Sequence, residues 1–94
     1  MKQHQIELRE LDDTLKLVKP IPILIEDYGD EVHATFVPVG AYGAGVDEAS
    51  AISNLRGELK ALYFELKDTK SKELGKLPQQ WKKTLLRILK EVKI

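Results

Sequence analysis

Hydrophobic and polar residues alternate through the first half of the chain and change to spacings of three and four in the second. Ile21, Ile23 and Ile25 recur at every second position, the period of a strand whose successive side chains point to opposite faces. Pro20 and Pro22 fall within that run. Neither can donate a ladder hydrogen bond, so the segment is expected at a strand start or facing a sheet edge. Tyr28-Gly29-Asp30-Glu31 supplies a polar turn containing glycine, and Val32, Ala34 and Phe36 resume the alternation. Together these runs predict a β-hairpin. Pro38-Val39-Gly40 ends the second strand, and Ala41 to Val46 reads as a short third one. Upstream, Ile6, Leu8 and Leu11 alternate weakly, which leaves residues 1–13 open between a short hairpin and a loose arm.

From Asp47 onward the period becomes helical. Asp47 suits an N-cap, Glu48 complements the positive end of a helix dipole, and Ile52, Leu55, Leu59, Leu62 and Leu66 form one apolar face with Tyr63 beside it. Asp68 to Gly75 is a polar connector. Leu77-Pro78 then opens a second helix with proline at its first position, where the missing N–H costs nothing. Trp81, Leu85, Ile88, Leu89 and Val92 line its apolar face, and Lys82, Lys83, Arg87 and Lys90 occupy the rest. Strands first and helices after predict one α+β domain over residues 1–94, with a core at about 18–67 and an accessory helix at about 78–92. The expected architecture is a three-stranded antiparallel sheet, with a possible extra N-terminal strand, and helices packed on one face.

Composition narrows the functions available. With 94 residues there is material for one core, so a multidomain enzyme is excluded; 43% hydrophobic and 32% charged residues fit a soluble globule rather than a disordered chain or a membrane span. The polar start MKQHQIELRE does not resemble a signal peptide, and a cytoplasmic location is expected. Without cysteine there is no disulfide, thiolate metal site or cysteine nucleophile. The formal net charge is zero, from 15 basic and 15 acidic residues. That balance hides an asymmetry: residues 1–55 hold 4 basic and 10 acidic side chains, and residues 56–94 hold 11 basic and 5 acidic. Such a split implies two faces for different partners, or halves that attract each other within the fold or across a dimer.

Candidate chemistry is sparse. Glu26, Asp27, Asp30 and Glu31 form the densest carboxylate group. Paired carboxylates can hold catalytic metals, but these flank a turn, where side chains diverge into solvent, and a negatively charged docking surface is the functional reading they favour. His4 and His33 are the two histidines, too few for a zinc site without cysteines. His33 is expected on the strand face opposite Val32, Ala34 and Phe36. Gly40-Ala41-Tyr42-Gly43-Ala44-Gly45 precedes a helix but fits neither GxGxxG nor GxxxxGK[ST]. Asp47 and Glu48 would repel a phosphate there, so the glycines are expected to permit a bulge or a close approach of helix to sheet. No metal, cofactor or catalytic residue is assigned.

The order of these features is similar to that of a known family. Ile21-Pro22-Ile23-Leu24-Ile25-Glu26-Asp27, the turn, Val32 to Val37, and Gly45-Val46-Asp47-Glu48-Ala49 entering a helix with Asn54-Leu55 resemble the HicB-like antitoxin domain over about residues 18–67. The glycine-led helix start lacks the threonine usual in that family. Leu74-Gly75, Leu77-Pro78 and Trp81-Lys82 resemble the tail of small stand-alone members. The resemblance implies a β-β-β-α core related to a degenerate RNase H-like fold without catalytic acids. It also implies the capacity to oligomerise and to mask a small ribonuclease toxin, HicA. The segment after the first helix leaves no room for the DNA-binding domain of full antitoxins.

The leading expectation is a non-enzymatic module that docks a small basic protein through Glu26, Asp27, Asp30 and Glu31. One alternative is a homo-oligomeric structural module. Another is nucleic-acid binding through Lys82, Lys83, Arg87 and Lys90, with Lys93 beyond them. Membrane binding is not expected.

Overall fold

Alternating aliphatic residues with one buried face are the reason the first half forms a sheet. In a computed structural model, which describes residues 1–92, four strands order as β1-β3-β4-β5, all antiparallel. They are β1 (Lys2–Leu8), β3 (Ile21–Asp27), β4 (Val32–Phe36) and β5 (Ala41–Gly45); β2 (Leu15–Leu17) lies apart from them. Ile21, Ile23, Ile25, Val32, Ala34, Phe36 and Ala41 are all buried on one face. The opposite face carries Gln3, Gln5, Glu26, His33 and Tyr42 and is half-buried to exposed, the division expected of a sheet covered on one side.

The expected three strands thus become four, the N-terminal arm supplying the extra one. β1 pairs along its whole length with β3, from Lys2↔Asp27 to Leu8↔Ile21. Ile6 and Leu8 join the apolar face that Ile23 and Ile21 begin. The proline positions follow from the hydrogen-bond phase. Tyr28 N–H donates to Glu31 C=O at 2.8 Å, so by alternation the even residues of β3 direct their backbone groups toward β4. Pairing with β4 stops at Leu24↔Thr35, and Pro22 therefore turns its missing N–H to the open side. Gly29, at φ 96°, holds the left-handed conformation that this two-residue turn requires.

A single helix covers the apolar face. α1 (Glu48–Lys67) begins at the expected N-cap, where Ser50 N–H donates to Asp47 Oδ1 at 2.8 Å. It buries Ala51, Leu55, Leu59, Tyr63 and Leu66, with each fully buried leucine contributing about 2 kcal/mol. The helix lies across β5 and β4, and the glycines of β5 set how close it comes. A Cβ on Gly43 would collide with the backbone of Ala51 and Leu55, and one on Gly45 would lie 2.8 Å from Ala51 N. The expected close approach of helix to sheet is present.

The second helix differs from the expected one at both ends. α2 (Lys76–Ile88) starts one residue after its N-cap Gly75, so Pro78 occupies its third position. That site is still in the first turn, where N–H groups have no intrahelical partner. Leu89 and Val92 do not continue the helix. Leu89–Glu91 is instead a strand, β6, antiparallel to β2 through Leu15↔Glu91 and Leu17↔Leu89. Leu15 and Leu89 are buried there, and backbone groups at that depth need partners. Val18 N–H to Ile88 O (2.8 Å) and Val92 N–H to Thr14 O (2.9 Å) extend the pairing. α2 packs against α1 and against a 3₁₀ turn at Val37–Val39 rather than over the sheet strands.

Side chains pin both small strands to α1. Tyr63 OH and Lys67 Nζ donate to Glu91 Oε2 at 3.1 and 2.7 Å. Asp12 accepts from Thr14 N–H (2.8 Å), Leu15 N–H (2.9 Å) and Thr14 Oγ1 (2.9 Å), and pairs with Lys60 Nζ at 3.1 Å. Burial alone would raise the Asp12 carboxyl. The Leu15 and Thr14 donors and Lys60 outweigh it and hold the group well below the ordinary carboxylate range.

Three mutational outcomes are expected. Gly43→Ala should cost about 1–3 kcal/mol in urea unfolding, the range of overpacked cores. Gly57→Ala, whose added Cβ meets nothing, should stabilise by roughly 0.5–1 kcal/mol. Asp12→Ala should lower stability at neutral pH by about 1 kcal/mol. The difference from wild type should persist above the unfolded-state pKa near 3.8 and disappear as pH falls below it, which thermal melts across pH would reveal.

Candidate functional site

The carboxylates that stood out in the sequence cluster at one end of the sheet without converging on a cavity. Adjacent strand positions place Glu26 on the open face and Asp27 on the face toward α1. Glu26 accepts from Tyr28 OH at 3.2 Å, and Asp27 Oδ1 accepts from Gly29 N–H at 2.8 Å. Asp30 is exposed at the turn, and Glu31 Oε1 lies 3.3 Å from His33 Nε2. His33 is on the face opposite Val32, Ala34 and Phe36, as the alternation requires. No group of three or more potential metal ligands forms among the described residues.

The fold adds two acids that the sequence pattern did not place here. Val32 pairs with Gly45, so the end of β5 and the start of α1 return to the same end of the sheet as the turn. Asp47 and Glu48 thereby join the four hairpin carboxylates. Asp27, Asp47 and Glu48 line one shallow hollow with Lys2 and His4, and His4 Nε2 lies 2.9 Å from Glu48 Oε1. Ser50 N–H holds the Asp47 carboxyl below its ordinary range, so it is ionised at neutral pH. Six carboxylates therefore share an end of the molecule where Lys2 is the nearby lysine.

Aromatic rings stand beside them on the open face. His33 lies between Tyr28 and Tyr42, with centroids 5.0 and 5.9 Å away. Partial burial and the negative charges of Glu26 and Glu31 push the Tyr28 hydroxyl above its ordinary value. Spacing along the hairpin could have suggested Tyr28 with His33, whereas Tyr42 required the β4–β5 register.

The basic residues lie elsewhere. β4 runs away from the turn to Val37–Val39, and α2 packs at that far end. Lys83 and Arg87 are exposed and one helical turn apart on α2. Lys82 donates to Thr69 O at 2.6 Å and fastens the connector, and Lys90 sits on β6 opposite Lys16. The four residues are thus not one helical face; Lys93 lies outside the described residues. Among those residues no helix is long and apolar enough to cross a membrane.

Set against protein-family models, curated proteins and solved structures, the chain finds no significant match in any of the three.

Proposed function

We propose that this protein is a non-enzymatic docking module that binds a small basic protein through the acidic end of its sheet. The observation that carries this reading is the gathering of Glu26, Asp27, Asp30, Glu31, Asp47 and Glu48 at one end, with the lysine-bearing helix α2 at the other. Complementary potentials of this kind accelerate encounter and discriminate between partners. Tyr28 and Tyr42 beside the carboxylates suit arginine and lysine side chains, which pack on aromatic faces. The divergence of Glu26 and Asp27 to opposite faces supports a binding role over metal-assisted chemistry.

The strand-strand-strand-helix order of β3, β4, β5 and α1 is the order the HicB-like, degenerate RNase H-like domain has. On that reading the partner is a ribonuclease of the HicA type, and the module acts by covering it.

The test is affinity capture from the native lysate, with the wild-type chain and an Asp30→Lys/Glu31→Lys variant. A small basic protein should be retained by the wild type, released by salt, and held at least about tenfold more weakly by the variant. Retention of no basic protein, or retention indifferent to the charge reversal, contradicts the proposal.

A further inference from the structure

The hydrogen-bond phase of the sheet determines which backbone groups at its two edges remain unpaired. Because Tyr28 pairs with Glu31, the odd residues of β3 face β1, and Lys2, His4, Ile6 and Leu8 face β3 in return. Gln3, Gln5 and Glu7 consequently present their N–H and C=O groups outward. All three are exposed, and no hydrogen bond reaches their backbone from the other described residues. β1 is seven residues long, with neither proline nor glycine. By the same phase, only Tyr42 and Ala44 of β5 face outward, and Asn54 Nδ2 already donates to Ala44 O at 2.6 Å. One edge is short and partly occupied, and the other is long and open.

We propose that β1 pairs with β1 of a second copy, antiparallel about a two-fold axis at Ile6, to join two sheets into one of eight strands. The side chains of this strand are complementary to themselves in that register. Ile6, half-buried beside the half-buried Ile52 of α1, meets the partner's Ile6 at the closely spaced, non-hydrogen-bonded position, where cross-strand apolar pairs interact most strongly. Gln5 stands opposite the partner's Glu7, whose carboxylate accepts from the Gln5 amide. His4 stands opposite the partner's Leu8, and Lys2 extends toward the partner's Glu10. About four main-chain hydrogen bonds form, from Gln5 and Glu7 and their counterparts. Sliding the axis to Glu7 opposes two like charges, and sliding it to Gln5 sets Ile6 against His4. A two-fold pairing also closes after two copies. It leaves the acidic ends free, pointing in opposite directions, so the dimer offers two docking ends.

A strand-to-strand interface of this size belongs to the weak class, so association should depend on concentration. Sedimentation equilibrium from micromolar to millimolar protein should show the mass rising from one chain to two. Gln5→Pro removes an outward N–H without touching the β1–β3 bonds; it should abolish the dimer while the circular dichroism of the fold is kept. Because the chain contains no cysteine, Ile6→Cys provides an independent readout. It should form an intermolecular disulfide under mild oxidation, as Cα atoms of such a pair lie within disulfide range, whereas His4→Cys alone should not. A single-chain mass throughout, a dimer that Gln5→Pro leaves intact, or failure of Ile6→Cys to cross-link would overturn the proposal.

Discussion

The close contact between α1 and the glycines of β5 is the constraint from which the rest of the arrangement follows. Gly43 and Gly45 have no side chains, so the helix backbone settles directly onto the strand. Only at that distance can Leu55 and Leu59 become fully buried in the same apolar cluster as Ile23, Ile25 and Ala34. The same contact fixes where the helix begins, and therefore where Asp47 and Glu48 stand relative to the β3–β4 turn. At its far end α1 provides the surface that receives α2, while Tyr63, Lys67 and Lys60 hold the small β2–β6 pair and the loop that leads into it.

Charge separation is a consequence of this geometry. A helix of 20 residues spans roughly 30 Å, about three to four Debye lengths at physiological salt. Carboxylates gather at its start, whereas Lys83 and Arg87 stand on α2, which packs against α1 and the Val37–Val39 turn at the other end of β4. The acids at the start also complement the helix dipole, so the feature that makes one end of the molecule acidic helps to stabilise the helix that positions it. Zero net charge and two charged ends are compatible in one small chain.

Much of this was legible in the sequence, and the parts that were not share a physical cause. Ile21, Ile23 and Ile25, the Gly29 turn, Val32 to Phe36, the Asp47 cap and the face from Leu55 to Leu66 are local signals, and each element formed where its signal lay. β1 was faint because it is an edge strand whose open face carries Gln3, Gln5 and Glu7, leaving Ile6 and Leu8 as the core-facing aliphatic residues of the pattern. β6 was hidden because Leu89 and Val92 fit a helical spacing from Leu85, and only pairing with the distant Leu15–Leu17 overrides it. At the candidate site the four hairpin carboxylates were readable as a group. The arrival of Asp47 and Glu48 depended on the Val32↔Gly45 register, and the withdrawal of Lys82 from its helix face depended on a contact with Thr69 that no periodicity encodes.

The two ends of the folded molecule should carry opposite electrostatic potentials. NMR relaxation enhancement by matched cationic and anionic paramagnetic probes measures that directly, amide by amide and without a partner. The cationic probe should broaden amides of residues 26–32 and 46–48 more than the anionic one, and the anionic probe should dominate around Lys83 and Arg87. Equal enhancement by the two probes at both ends would mean that the ends do not differ in potential and that the acidic end is no docking surface for a basic partner.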